Sequence, residues 1–285
     1  MTLRNALLQL VKGGPEQRAV AAGEIDAIID YASSNVILFP AARRALSKVA
    51  NRPITTPRRP CANSLLAAIP RAEFQRLFAG LMPVTLKSGD VLQESGAPIR
   101  HVYFPFDCVV CLMTEVEDHR ALEVGLVGFE GMVGVSLALG MGVSSARALV
   151  QSTGTVLRVE AAHFLRALRQ CLPLQRALDR YTCAKLALAR QTVACNCFHG
   201  REARLVRWLL MTSDRVRSDE FFLTQAFLAD MLGVRRVTVT EAAGRLQERK
   251  LIRYCRGNIR ILDRTGLEAI SCRCYVRLEG KLESA

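Results

Sequence analysis

The sequence predicts an α+β chain in four parts: an N-terminal helical extension, a β-rich sandwich or barrel, a long helix and a C-terminal winged helix-turn-helix. Three observations carry this. Short β-rich runs separated by glycine turns fill the middle of the chain, between flanks whose apolar residues recur at helical spacing. Residues 174–198 contain no Gly or Pro and keep a heptad-like spacing. Residues 223–262, LTQAFLADMLGVRRVTVTEAAGRLQERKLIRYCRGNIRIL, have the spacing of two short helices around a glycine turn, followed by a hairpin.

Taken in order, residues 2–12 and roughly 16–32 carry apolar stripes at helical spacing: Leu3, Leu7, Leu8 and Val11, then Ile25, Ile28 and Ile29. A third short helix is expected over 41–49. The segment NRPITTPRRP at 51–60, with Pro53, Pro57 and Pro60, has no apolar period and reads as an extended basic linker. Residues 62–80 form a helical entry interrupted at Pro70. From 83 to 159 the runs VTLKSGDVL, HVYFPF, CVVCLM, LEVGLVG and ALVQSTGTVLRV alternate with glycine turns, as in a sandwich or barrel. Helical spacing returns over 161–170 and again over 174–198. In the longer helix Leu174, Ala177, Tyr181, Ala184, Leu188, Gln191, Cys195 and Phe198 fall three and four apart, as in a seam between two helices. Leu174, Tyr181, Leu188 and Cys195 are the candidate dimer contacts. The expected domains are 1–60, 61–170, 171–200 and 201–285.

The 285 residues have a net charge of +13, and two segments hold nearly all of the excess. Residues 41–60 carry 6 basic groups and no acidic one, and residues 201–285 carry 17 basic against 11 acidic. Clustered positive charge points to a polyanion partner. Half of the residues are hydrophobic, enough for a sizeable core without disulfides. The 10 cysteines are scattered, which fits a reducing cytoplasm rather than a secreted disulfide framework. The uncharged stretch 131–146 has only 16 residues, too few to span a bilayer, so no membrane partner is expected. The start, MTLRNALLQLVKGG, lacks the apolar core of a secretory signal.

The helix-turn-helix reading is physical. Thr224 can cap a helix running to about Leu232. Gly233 then supplies a turn with positive φ. A second helix begins near Arg235 and runs to about Arg249. Ala229, Gly233 and Val239 stand at relative positions 0, 4 and 10: a small residue at the helix contact, the turn, and a β-branched anchor. Leu228, Leu232, Val239, Ala243 and Leu246 supply the buried face, and Leu205, Trp208 and Leu209 on the preceding helix complete the packing. In such a motif the second helix enters the major groove and its N-terminal residues reach base edges. Arg235, Arg236, Thr238 and Thr240 are polar and off the buried stripe. Arg can bond guanine through two hydrogen bonds, and Thr can meet a thymine methyl or a phosphate. The hairpin RYCRGNIRIL, expected to turn at Gly257-Asn258, surrounds its tip with Arg253, Arg256 and Arg260 for phosphates. The full set of candidate DNA contacts is Thr224, Gln225, Arg235, Arg236, Thr238, Thr240, Arg245, Arg256, Asn258 and Arg260.

With these residues in order, the chain resembles the Crp/Fnr family of bacterial transcription regulators. SGDVLQESG at 88–96, HVYFP at 101–105 and GFEGMVG at 128–134 resemble successive parts of that family's cyclic-nucleotide-binding-like, jelly-roll-like β-roll. Residues 174–198 correspond to its dimerisation helix and 201–275 to its winged helix domain. Residues 1–60 lie outside the resemblance. It implies a homodimer on a two-fold symmetric double-stranded DNA site, a small-molecule effector sensed in the β-roll, and RNA polymerase as a further candidate partner. Members that bind cyclic AMP hold its ribose with a Glu and its phosphate with an Arg. Those positions fall here at Val135 and Ser144, with Arg147 near, so cyclic AMP is not the expected effector. In the second helix the family's frequent Arg-Glu followed by a second Arg becomes Arg236, Val237 and Glu241, so a different operator is expected.

Cys195 and Cys197 with His199, Cys108 with Cys111, and Cys272 with Cys274 raise a redox- or metal-sensing alternative in which DNA contact is secondary. Cys195 and Cys197 lie about 200° apart on a helix, and Cys108 and Cys111 point to opposite faces of a strand. The iron–sulfur members of the resembled family use an N-terminal cysteine cluster, whereas only Cys61 precedes residue 100 here. The cysteines are therefore read as small buried residues, with no metal and no cofactor expected. The glycines of GLVGFEGMVG lack the Lys and Ser/Thr of a phosphate loop. No nucleophile–base–acid set is legible among the dispersed His101, His119, His163 and His199, so an enzyme is not expected.

Overall fold

The structure, a computed structural model, describes residues 27–30, 35–38, 63–116 and 120–275. Near the N-terminus Ala27–Asp30 (β1) pairs antiparallel with Asn35–Leu38 (β2). The helix expected over roughly 16–32 is thus corrected at its end. Ile28 is the register partner of Ile37, and Ile29 of Val36. Ile and Val, branched at Cβ, favour extended backbone over a helical turn. The helices expected at 2–12 and 41–49 and the linker at 51–60 lie outside the described residues.

Asn63 opens the β-rich part. Its Oδ1 accepts from the N–H groups of Leu65 and Leu66, capping Ser64–Ala67 (α1). Its Nδ2 donates to Pro105 O at 3.0 Å and Gly131 O at 2.7 Å, so this fully buried amide is satisfied on both sides. Arg71–Phe78 (α2) follows beyond Pro70. Seven strands come next: Pro83–Leu86 (β3), Val91–Gln93 (β4), His101–Pro105 (β5), Val109–Val116 (β6), Arg120–Val127 (β7), Arg147–Ser152 (β8) and Gly154–Glu160 (β9). They form two antiparallel sheets, ordered β3-β9-β5 and β4-β8-β6-β7. A 3-10 turn, Val135–Leu139, precedes β8.

The period-two alternation of the strands decides what each sheet face touches. Tyr103, Val110, Val127, Val150 and Val156 point between the sheets and make the sandwich interior. Val102, Phe104, Leu157 and Val159, one residue out of phase, face outward from the three-stranded sheet and are covered by helices. Val109, Cys111, Met113 and Leu126 face outward from the four-stranded sheet.

Ala161–Gln170 (α3) leads into Leu172–Phe198 (α4), 27 residues with Pro173 in its first turn, where no intrahelical N–H is lost. The stripe expected to meet a second copy is turned inward. Leu174 and Tyr181 are buried in the core over the three-stranded sheet, Leu188 in the core over the four-stranded sheet, and Cys195 against Cys272 and Cys274. The three-four spacing marks a buried face without saying what buries it. The opposite side of α4 exposes Leu172, Leu186 and Val193, at 53%, 52% and 64% of their surface.

The C-terminal part comprises Arg201–Val216 (α5), Glu220–Phe222 (β10), Gln225–Leu232 (α6), Arg236–Glu248 (α7), Ile252–Cys255 (β11), Asn258–Ile261 (β12) and Arg264–Ile270 (α8). Its sheet runs β10-β12-β11. This domain covers the outward face of the four-stranded sheet: Trp208, Leu209, Met231 and Leu232 share one core with Val109, Cys111, Met113 and Leu126. Polar ties accompany the apolar contact. Trp208 Nε1 donates to Glu123 Oε2, and Arg215 Nε donates to Glu130 Oε1 at 2.8 Å. Among the described residues no helix is long and apolar enough to cross a membrane.

Candidate nucleic-acid interface

Thr224 has extended backbone and its Oγ1 accepts from Phe227 N at 3.2 Å, so α6 begins where its sequence sets a cap. Gly233 ends it with φ of 62°, and its N–H bonds back to the helix, the left-handed closure for which glycine lacks a Cβ penalty. Arg235 then occupies the N-cap position of α7, with extended backbone and no side-chain cap bond. Leu228, Ala229, Met231 and Leu232 of α6 are buried together with Val239, Ala242, Ala243 and Leu246 of α7. Thr240 Oγ1 donates to Gln225 Oε1 at 2.9 Å, fixing the start of one helix against the middle of the other.

The free face of α7 follows from this packing. At about 100° per residue, Val237, Glu241, Gly244 and Glu248 lie opposite Val239 and Leu246, while Arg236, Thr238 and Thr240 flank them. Val237 is 64% exposed, an unusual place for an apolar side chain in the first helical turn. Val237 and Glu241, which the resemblance aligns with the family's frequent Glu and second Arg, are not in the expected contact set, yet both are exposed. Their exposure is the missing signal: Val suits a thymine methyl, and a carboxylate can accept from the cytosine amino group.

The wing is the β11–β12 hairpin. Cys255 pairs with Asn258, leaving Arg256 and Gly257 as the two turn residues, both with positive φ (51° and 81°). The tip expected at Gly257-Asn258 is therefore one residue earlier. A two-residue hairpin matches strand twist when both central residues have positive φ. Gly257 is needed there, since a Cβ would meet the Phe222 ring at 2.6 Å. The wing is braced by Tyr254, whose N–H donates to Gln247 Oε1 and whose hydroxyl donates to Leu223 O, each at 2.8 Å.

Charge pairing sorts the arginines between Arg235 and Arg264 into two groups. Arg245 and Arg249 both reach Glu202, at 2.6 and 3.4 Å; Arg260 pairs with Glu220 at 3.2 Å, and Arg264 with Asp214 at 2.6 Å. Arg235, Arg236, Arg253 and Arg256 form no ion pair with another described residue, and all four lie at the start of α7 or on the wing. Arg253 even stands directly opposite Arg260 across the hairpin. Glu220, on the other side of Arg260, offsets part of this like-charge repulsion. Of the expected contacts, the structure thus brings Gln225 and Thr240 together, sets Arg235, Arg236 and Thr238 beside them, and carries Arg256, Asn258 and Arg260 on the wing. It engages Arg245 with α5 instead.

Residues 203–270 match the family model of the Crp-like helix-turn-helix domain. No curated protein matches the sequence. Among solved structures, the chain is similar to a Crp/Fnr-family transcriptional regulator from Eubacterium rectale, at 15% identity over 73% of this chain and 97% of that one, with a TM-score of 0.57. It is also similar to FixK2 from Bradyrhizobium japonicum, at 16% identity over 67% and 98%, TM-score 0.56. A Crp/Fnr-family regulator from Thermus thermophilus shares 24% identity over 67% and 98%, TM-score 0.52. The likeness is one of fold: a β-sheet domain followed by a helix-turn-helix.

Proposed function

We propose that this chain, a Crp/Fnr-family transcription regulator by its fold and its Crp-like helix-turn-helix, acts as a homodimer that reads a two-fold symmetric DNA operator. The sorting of arginines carries the proposal. Between Arg235 and Arg264, the arginines without an ion pair to a described residue are those at the start of α7 and on the wing, where major-groove edges and flanking phosphates would lie. The exposed side of α4 supports the dimer: Leu172, Leu186 and Val193 recur at multiples of seven, with Asp179 at the position between the first two, a face on which a second parallel helix can pack. Two recognition helices related by that axis would meet half-sites about 34–36 Å apart. Recovery of DNA bound across a genome, followed by gel shifts on the enriched sequence, tests this. An inverted repeat with that spacing is expected; recovery without any enriched sequence would refute it.

The β-roll is not built for cyclic AMP. Ser144 Oγ already donates to Ala146 O at 2.7 Å, and Arg147 is drawn to Glu94 at 3.2 Å. Val135 packs in the helix-covered core rather than between the sheets. A phosphate and a ribose hydroxyl entering there would lack the charge-assisted partners that offset their desolvation. Titration calorimetry with cyclic AMP should give no binding in the low micromolar range; tight binding that also strengthens operator affinity would overturn this part.

A further inference from the structure

Four potential ligands that the DNA reading leaves unused converge at the far end of α4. Cys195 and His199 are one helical turn apart and share a face. Cys272 and Cys274 follow α8, on the tail of the winged domain. The Sγ atoms of Cys195 and Cys272 are 3.6 Å apart, His199 Nδ1 is 3.4 Å from Cys195 Sγ, and Cys274 Sγ is 3.7 Å from His199 Nδ1. All four ligand atoms lie within 4.8 Å of one another, the three cysteines are buried, and the histidine is half-buried. Cys197, between the first two in sequence, is exposed and takes no part.

These separations have a physical meaning. A tetrahedral zinc ion with bonds of about 2.3 Å to sulfur and 2.0–2.1 Å to nitrogen sets its ligands about 3.8 Å apart for two sulfurs and about 3.5 Å for sulfur and nitrogen. Three of the contacts already have that size. The group is too tight to enclose an iron–sulfur cluster, whose several irons and sulfides stand between the thiolates. Outside it, Gln191 Nε2 donates to Cys274 Sγ at 2.9 Å, the kind of outer hydrogen bond that orients a thiolate ligand and spreads its charge.

We propose that Cys195, His199, Cys272 and Cys274 form a mononuclear, four-coordinate zinc site that fastens the end of α4 to the tail of the winged domain. All four positions are filled by the chain, so the ion is structural and keeps no place for substrate. On binding, the thiols release their protons to solvent and the imidazole binds in its neutral form. The site bridges the turn at Gly200, which separates α4 from α5. It therefore clamps the joint between the long helix and the DNA-binding domain, apart from the β-roll contact that Trp208 makes with Glu123.

The test uses the reduced full-length chain and zinc itself. Elemental analysis after removal of loosely bound metal should give one zinc per chain. Cys272→Ser and Cys274→Ser should lose it, while Cys197→Ser should keep it. Cobalt in place of zinc in the wild-type chain should show the intense visible bands of a tetrahedral site with thiolate-to-metal charge transfer. That readout needs no substitution and so stands even if the serine variants fail to fold. Failure of the wild-type chain to take up either metal would overturn the proposal. Retention of zinc by the doubly substituted chain would do the same, as would a cobalt spectrum without thiolate bands or a Cys195–Cys272 disulfide in place of the metal.

Discussion

Arg215 Nε donates to Glu130 Oε1 at 2.8 Å, and the two side chains are only 4% and 10% exposed. The guanidinium comes from α5 and the carboxylate from the loop after β7, so a buried ion pair joins the DNA-binding domain to the β-roll. Removing one partner of such a pair strands a charge, at a cost of about 3–5 kcal/mol, whereas removing both is far milder. Glu130→Gln should therefore destabilise the chain strongly, and Glu130→Gln with Arg215→Met should recover much of the loss. Chemical unfolding of the two single variants and the double variant provides the cycle; simple additivity would contradict the coupling.

Lys185 lies beside this pair and donates to Leu126 O at 2.7 Å. Burial brings its pKa down from 10.5 to about 8, helped by Arg215 and opposed by Glu130 and Glu123. The folded chain sheds this proton before the unfolded chain does. Below about pH 8 both states hold the proton and the cost is constant. Between about pH 8 and 10.5 the unfolded state binds more protons, so this residue's contribution makes stability rise with pH. Lys185→Met should flatten that slope. Denaturant midpoints measured across this interval decide it, and an unchanged slope would show that Lys185 titrates as an exposed lysine.

At the DNA, Arg236→Ala should cost about 1–3 kcal/mol on the operator and blur the preference at one position in each half-site. Arg256→Ala, at the wing tip, should weaken all sequences alike and lower the salt dependence. Gel shifts over a series of salt concentrations separate the two; equal effects on operator and random DNA for Arg236→Ala would displace α7 from the groove.

On α4 the two sides predict different failures. Leu186→Glu puts a charge on the exposed seam and should give a folded monomer with weak operator affinity. Leu188→Glu, two residues on, buries a charge in the shared core and should impair folding itself. Sedimentation and circular dichroism of both variants give the comparison; a dimeric Leu186→Glu chain would move the interface elsewhere.

The helix-turn-helix was legible because its determinants are local: a cap at Thr224, a turn at Gly233 and an anchor at Val239 lie within sixteen residues of one another. The strands of the sandwich were open to reading as short β-rich runs between glycine turns, even where, as in HVYFP, both faces are buried and no alternation shows. What escaped depends on distance or on context. The stripe Leu174, Tyr181 and Leu188 is apolar for its own domain's sake, and heptad spacing cannot distinguish that from a partner. The wing tip slipped by one residue because Arg256 takes a positive φ that its side chain disfavours. Cys195 and His199 meet Cys272 and Cys274 from the far end of the winged domain, and only the packed fold brings the two pairs together.

The core shared by the four-stranded sheet and the winged domain has a thermodynamic consequence. Val109, Met113 and Leu126 owe part of their burial to Trp208, Leu209 and Leu232, so neither half can lose its tertiary structure without exposing the other's apolar surface. Melting should then be one cooperative event, with a heat-capacity increment set by the combined buried area rather than by two smaller ones. A winged domain produced alone would carry the uncovered half of that core, and should be prone to self-association even where its own helices remain intact.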